Sequence, residues 1–301
     1  MNKEQLVELM KSKPYLLKMG KGIISKRYNV APDDVIIAKN LTKLGRHIPK
    51  VLIFDIETSP MKAYIWSLWK TNVHLDHILN EWFCIAWSAK WLYSDEVMGE
   101  VLTPTEIREE DDKRIMTSLW NLINEADIVV AHNGNKFDIP RINSRFIVNG
   151  LAPTKPYFSV DTCQIARKQF GFSSNKLDAL AGYFNIPHKL DTDFDLWRRC
   201  LEGDENSLAY MLEYNKKDVT ILEEIYLKLR PWIKNHPNMG NLEGAQEACA
   251  NCGSEEIDAI TDKFYYTSVG KYKLYRCKTC GAISRGRFSI ASSLNVNSVG
   301  K

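Results

Sequence analysis

The chain has 301 residues, 45% of them apolar and 26% charged, with a formal net charge of +3. These proportions describe an ordinary soluble protein of one large domain or two to three smaller ones. No apolar run is long enough to span a membrane and the start, MNKEQLVELM, is no signal peptide, so a membrane partner is excluded and a cytoplasmic location expected. Charge is spread unevenly. Residues 1–50 carry 11 basic and 4 acidic residues, 51–240 carry 21 and 27, and 241–301 carry 8 and 6. A basic arm beside an acidic body suits a metal-using centre with a separate polyanion-binding surface, or simply a solvated basic helix face.

The first segment, residues 1–48, reads as helical and ends at the turn-like GRHIPK. Within it IISKRYNVAPDDVIIAKN fits a helix-turn-helix: Ile24, Tyr28, Val30, Val35 and Ala38 fall where two such helices pack. Asn29 sits where the turn needs a left-handed residue, and Pro32 with two following acids suits a helix start. In that reading the second helix, with Lys39 and Lys43, lies along nucleic acid. The other reading is a small helical cap, and Asp33 and Asp34 at the helix start disfavour close phosphate contact there.

The second segment, 51–231, begins with VLIFDIETSP, where Val51–Ile56 predicts a strand buried on both faces. WFCIAWSAKWL and VMGEVL predict two more strands, and a helix is expected over 109–125 with Ile115, Leu119, Leu122 and Ile123 on its apolar stripe. DIVVAHN reads as another buried strand and IPRINSRFIVNG as a helix stopped by Gly150. A short strand near Val160, a helix from Asp161, a helix over KLDALAGYF and a long helix over 204–229 follow. Strands first, then alternating helix and strand, predict an α/β fold with a mixed sheet flanked by helices. DTDFDLW, Asp191–Trp197, has the start of a calcium loop, but Leu196 stands where that loop needs Gly. It reads as the acidic start of a helix.

Four carboxylates break the apolar pattern. Asp55 and Glu57 are two apart on a strand, so both point to the face that Val51 and Ile53 bury. Asp218 takes a core-facing slot on the stripe Met211, Tyr214, Asp218, Ile221, Leu222, Ile225, Leu229. Asp138, in HNGNKFD, follows a buried strand, where ligands gather in α/β sheets. Taken singly, Asp138 reads as a helix N-cap, the strand pair as a strand end reaching solvent, and Asp218 as a partner for lysine. One cause covers all four: Mg²⁺ or Mn²⁺, which favour carboxylate oxygens and offset clustered negative charge.

FDIET, NGNKFD and YNKKD, in that order, resemble the three motifs of the DEDD (DnaQ-like) 3′–5′ exonuclease superfamily, which has a ribonuclease H-like fold. The Tyr-x3-Asp form resembles the tyrosine subclass, since Glu213 stands where the histidine subclass carries its His. KLDALAGYF and DLWRRCLEGD are similar to stretches of family-B polymerase exonuclease domains and their stand-alone relatives. The resemblance implies that Asp55, Glu57, Asp138 and Asp218 hold two Mg²⁺ or Mn²⁺ ions and that Tyr214 orients the attacking water. It implies substrates among single-stranded DNA or RNA 3′ ends, DNA ahead of RNA. Asn133 touches substrate or the motif backbone, or only caps its loop, and His132 is structural.

The third segment, 246–290, holds CANCG and CKTCG. Cys249, Cys252, Cys277 and Cys280 form two C-x-x-C knuckles 24 residues apart, spacing that suits one structural Zn²⁺. The intervening KFYYTSVGKYKLYRC alternates aromatic and basic residues like a hairpin, and the segment resembles a zinc ribbon. It binds nucleic acid, docks a protein partner, or serves structure alone. Residues 291–301 are expected to be a flexible tail. The whole reads as a metal-dependent exonuclease with auxiliary nucleic-acid-binding ends; the alternative is a non-catalytic nucleic-acid-binding regulator that uses the helix-turn-helix and the ribbon.

Overall fold

The computed structural model describes residues 1–13, 16, 19–44, 49–69, 71–187, 192–243, 248–268 and 270–291, without the side chains of residues 43 and 44. The chain divides into two compact units, 50–229 and 1–49 together with 230–301. The side chain of Lys43, residue Asp191 and nearly all of the expected tail lie outside the described residues.

Three helices open the chain: α1 (Lys3–Ser12), α2 (Lys21–Tyr28) and α3 (Pro32–Leu44). Asn2 and Gln5 close a capping box on α1, each side chain accepting from the other's backbone N–H. Asn29 ends α2 in the left-handed region at φ 50°, which Asn tolerates, and so turns the chain quickly into Pro32. Leu6, Val7 and Met10 then meet Ile24, Val30, Val35, Ala38 and Leu41 in a small apolar core, with Tyr28 at its edge. The positions expected to pack two helices therefore pack three.

The larger unit runs β1 (Val51–Thr58), β2 (Lys62–Ala63), β3 (Ile78–Asn80), β4 (Cys84–Trp91), β5 (Met98–Val101), α4 (Pro104–Glu109), α5 (Lys113–Glu125), β6 (Ile128–Ala131), α6 (Asp138–Val148), β7 (Phe158–Asp161), α7 (Thr162–Gln169), α8 (Leu177–Tyr183), α9 (Phe194–Leu201) and α10 (Glu205–Leu229). The expected single helix over 109–125 is two. Thr103 and Glu106 build a capping box with Pro104 in the first turn, which starts a helix early, and Glu110 at φ 54° stops it. Asp193 caps α9 by accepting from the Leu196 N–H at 3.2 Å, which is the role read for that acidic stretch.

Five strands form one mixed sheet in the order β5-β4-β1-β6-β7. β1 pairs antiparallel with β4, and β4 with β5; β1 pairs parallel with β6, and β6 with β7. β1 is thus where the sheet changes sense, and the carboxyl ends of β1, β6 and β7 lie along one edge. Open α/β sheets bind ligands at such an edge. α10 crosses the face of β1, β4 and β5 that carries Asp55 and Glu57. Lys90 on β4 and Glu223 on α10 form a buried ion pair there, and Glu223 also accepts from the Tyr93 N–H at 2.8 Å. Every residue of the stripe from Met211 to Leu229 is buried, Asp218 among them. Elsewhere Asp112, wholly buried, accepts two bonds from Arg145 and one each from Asn149 and the Cys84 N–H, tying β4 to α6.

The rest of the smaller unit comprises α11 (Met239–Glu243) and a three-stranded antiparallel sheet of β8 (Ile257–Thr267), β9 (Gly270–Cys277) and β10 (Ile283–Arg285) in the order β10-β9-β8. Among the described residues no helix is long and apolar enough to cross a membrane.

Candidate functional site

Alternation along β1 sends Asp55 and Glu57 to the same face, opposite Ser88 and Ala86 of β4. The register shifts between Glu57 and Thr58, so β1 leaves regular pairing as soon as its acids have been presented. α10 brings Asp218 to them across about half the chain, and one ligand oxygen from each of Asp55, Glu57 and Asp218 lies within 4.8 Å of the others. Asn215, buried and three residues before Asp218, donates its amide to Asp55 Oδ2 at 2.7 Å. Tyr214 is buried one turn before Asp218, its ring edge-on to Trp197 with centroids 6.4 Å apart.

Asp138 is the first residue of α6 and is buried. It stands outside the group of three but touches the strand that carries two of them, through a hydrogen bond with the Ile56 backbone. Burial pushes its carboxyl up to about 7; backbone hydrogen bonds at Asp138 and Ile56 pull the other way, the Asp161 charge adds to the rise and Arg141 opposes it. Its Oδ1 has no hydrogen-bond partner among the described residues. A buried carboxylate oxygen without a donor is costly unless it protonates or meets a cation. Clustered oxygen donors with one such atom fit hard divalent ions. Asp55, Glu57, Asp138 and Asp218 are the residues that could hold them.

The loop before Asp138 is held from below. Asp161, at the end of β7, accepts the N–H groups of Asn133 at 3.0 Å and Asn135 at 3.2 Å, and also both the backbone and side-chain nitrogens of Gln164 at 3.0 Å. Asn133 is left-handed at φ 68°. His132 is bonded through both ring nitrogens, to Thr162 Oγ1 and to the Asn175 carbonyl, each at 2.9 Å, which makes it a brace. Gly134 has no room for a side chain, because a Cβ there would lie 2.4 Å from Ala131 Cβ. Beside this loop opens a groove of about 380 Å³ lined by His132, Asn133, Arg167, Ser173, Asn175 and Lys176. A larger hollow, about 640 Å³, between α9 and the start of α10 contains none of the four acids.

Three residues of this neighbourhood escape motif reading: Asp161, Asn215 and Arg141. Asn215 leaves a trace, a polar residue three before Asp218 on a buried stripe. Asp161 looks in sequence only like the cap of α7, which it also is. Arg141 follows Asp138 by one turn; its guanidinium lies 4.2 Å from the Phe137 ring centre and 4.5 Å from that of Trp82, and donates to Thr58 Oγ1 at 3.1 Å.

In the smaller unit the sulfurs of Cys249, Cys252, Cys277 and Cys280 all lie within 4.8 Å of one another. Cys249 and Cys280 are 3.7 Å apart, Cys252 and Cys277 3.6 Å. A tetrahedron with metal–sulfur bonds of 2.3 Å has edges of about 3.8 Å, so the four thiols fit Zn²⁺. Gly253 and Gly281 take φ of 77° and 78°, where the two knuckles turn back. Hydrogen bonds from Cys252 and Cys280 draw the Cys249 thiol down, and the contact with Cys249 pushes Cys252 and Cys280 up. Lys39, on α3, is half-buried and donates to the Met19 carbonyl, so its ammonium is engaged within the helical region.

Over 137 residues the chain is 30% identical to DNA polymerase III PolC-type of Ureaplasma parvum serovar 3; the match covers 44% of this chain and 9% of that protein, so the chain spans less than a tenth of its relative's length. Among solved structures, the family B DNA polymerase from the hyperthermophilic archaeon Pyrobaculum calidifontis superposes with a TM-score of 0.44 at 15% identity, over 61% of this chain and 25% of that one. The model of the RNase H superfamily matches residues 52–230, which contain all but the first residue of the mixed sheet and all four acids. With more than half of its length so matched, the chain belongs to the RNase H superfamily.

Proposed function

We propose that this protein is a metal-dependent 3′–5′ exonuclease of the tyrosine subclass, acting on single-stranded ends of nucleic acid with DNA preferred to RNA. The observation that carries the reading is the meeting of Asp55, Glu57 and Asp218 within 4.8 Å, beside buried Asp138, at the carboxyl edge of the sheet. Like charges so close are unfavourable unless something positive is shared among them. Divalent cations, when bound, neutralise charge on the phosphate and make water a better nucleophile. The protein's own part is positional. Asn215 fixes the rotation of the Asp55 carboxylate through its 2.7 Å bond. Asp161 fixes the loop that ends in Asp138. Tyr214 orients the attacking water, and Asn133 faces the substrate from the edge of the groove. Attack on the terminal phosphodiester releases a nucleoside 5′-monophosphate and leaves a new 3′ hydroxyl.

The ends of the chain serve as nucleic-acid-binding and docking modules in this reading. The unit built from 1–49 and 230–301 has 20 basic and 10 acidic residues, against 20 and 27 in the other unit. That segregation supports a polyanion surface apart from the acids. It also supports the second reading, a regulator that binds without cutting, with the zinc ribbon and helix-turn-helix as its contacts.

The test uses single-stranded DNA and RNA labelled at the 5′ end, incubated with Mg²⁺ or Mn²⁺ with and without chelator. A metal-dependent ladder shortening from the unlabelled end is expected, and Asp55→Ala abolishes it. Early release of labelled mononucleotide would mean the opposite polarity. Tight binding with no shortening selects the regulator, and undiminished cleavage by Asp55→Ala rejects the site.

A further inference from the structure

Between Glu57 and β4 the chain makes an excursion, residues 59–82, that buries little. Trp66 is 94% exposed, Leu75 85%, Trp69 84%, Leu68 82% and Tyr64 71%. Scattered exposed leucines are ordinary, but two tryptophans and a tyrosine uncovered within six residues are not. The segment is nonetheless built rather than frayed. β2 pairs with β3, the Ser67 hydroxyl donates to the Trp69 carbonyl at 2.9 Å, and the Tyr64 N–H donates to the His77 carbonyl at 3.0 Å.

Both roots of the excursion are tied to the carboxylate site. Ser59 and Phe83 exchange two hydrogen bonds of 2.9 Å immediately after Glu57 and Thr58. Trp82 carries Arg141 on its ring, and Arg141 also holds Thr58 and stands one turn beyond Asp138. A held guanidinium thus stands at the roots of the excursion, next to the residue that follows Glu57. It suits a phosphate.

We propose that residues 59–69 and 71–82 form a stacking surface for single-stranded nucleic acid, with bases laid on Trp66, Trp69 and Tyr64 and the backbone passing Arg141 towards the carboxylates. The choice of partner rests on the nuclease reading, but the binding it describes does not require cleavage. The excursion itself is neutral in sequence, Lys62 and Lys70 against Asp76 and Glu81. Affinity here therefore comes mainly from ring faces, which accept any base, and depends weakly on salt; Arg141 contributes one counterion-releasing contact.

The test is fluorescence anisotropy of labelled dT16 and rU16 with the full-length protein in chelator, where no cleavage occurs. Trp66→Ala with Trp69→Ala weakens binding about tenfold per ring lost, with the salt slope unchanged. Trp66→Phe with Trp69→Phe restores most of it. Arg141→Gln lowers the slope of log affinity against log salt by about one. Both tryptophans are surface residues, so an unchanged melting temperature certifies the fold of the variants. Affinity equal to wild type in the double alanine variant overturns the proposal. So does loss of a concentration-dependent dimer in that variant with nucleic-acid affinity intact, which would make the face a self-association surface. If the variant loses affinity but the wild type shortens no labelled strand under metal, the nuclease reading fails and the stacking surface stands.

Discussion

The two clusters of ligand-type residues solve one electrostatic problem in opposite ways. Four thiols meet through two tight turns at the base of a single small sheet, each turn closed by a left-handed glycine. Three carboxylates meet from a strand and the middle of a helix, with Asp138 beside them at the start of another helix, so their arrangement depends on the whole mixed sheet. If the thiols take zinc, as proposed, the metal holds together the fold that bears them. In the second the fold has its own apolar core, and the acids are carried by it. Removing a metal should therefore be a folding event in one unit and a functional event in the other.

The largest effect that can break this contrast is at the sulfurs. Structural zinc contributes on the order of 10–16 kcal/mol in small domains, so chelation or Cys277→Ser should unfold residues 249–291. Limited proteolysis would then cut there while residues 50–229 stay intact, and four freely titrating thiols in the native protein, with no zinc by metal analysis, would dissolve the comparison. Next comes Asp55→Ala. Losing a mere supporting residue of a metal site costs about 10–100-fold, so losing a ligand should cost more, with the melting temperature unmoved by comparison. A large drop in stability would place the acids on the same footing as the cysteines. Asp161→Ala sharpens the contrast, because it touches no ligand directly. Cleavage should fall about 10–100-fold with a raised metal concentration for half-maximal rate, whereas a purely structural role would leave that concentration unchanged.

The smallest effect lies far from either cluster. Hydrogen bonding from Arg114, opposed by slight burial, holds Glu106 down to about 2. A carboxyl lowered on folding stabilises above its unfolded value near 4.5 and loses that contribution as pH falls towards 2. Arg114 is half-exposed and water screens the pair, so Glu106→Gln should cost about 1 kcal/mol or less at neutral pH and nothing below pH 2, read from denaturation curves at both.

Much of this was legible in the residues because period and burial carry it. Alternation put Asp55 and Glu57 on one face, and the 3.6-residue stripe put Asp218 on the buried side of α10; both placements hold. The mixed sheet was legible from the order of strands and helices. What was not legible depends on partners remote in sequence or on none at all. Asp161 looks like a helix cap until the Asn133 and Asn135 amides, 28 and 26 residues upstream, come to it. The division of α4 from α5 turned on Glu110 adopting a left-handed backbone, which its side chain does not advertise. Residues 59–82 have no period because they face no core.

The Lys90–Glu223 pair, with the Tyr93 amide on the same carboxylate, has a mechanical consequence. α10 is a 25-residue helix whose buried side runs its whole length, so its lengthwise position sets where Asp218 stands. A slip by one turn would carry Asp218 about 5.4 Å from Asp55. The buried pair acts as a detent against that slide, so loosening it should misalign the helix lengthwise before it melts anything.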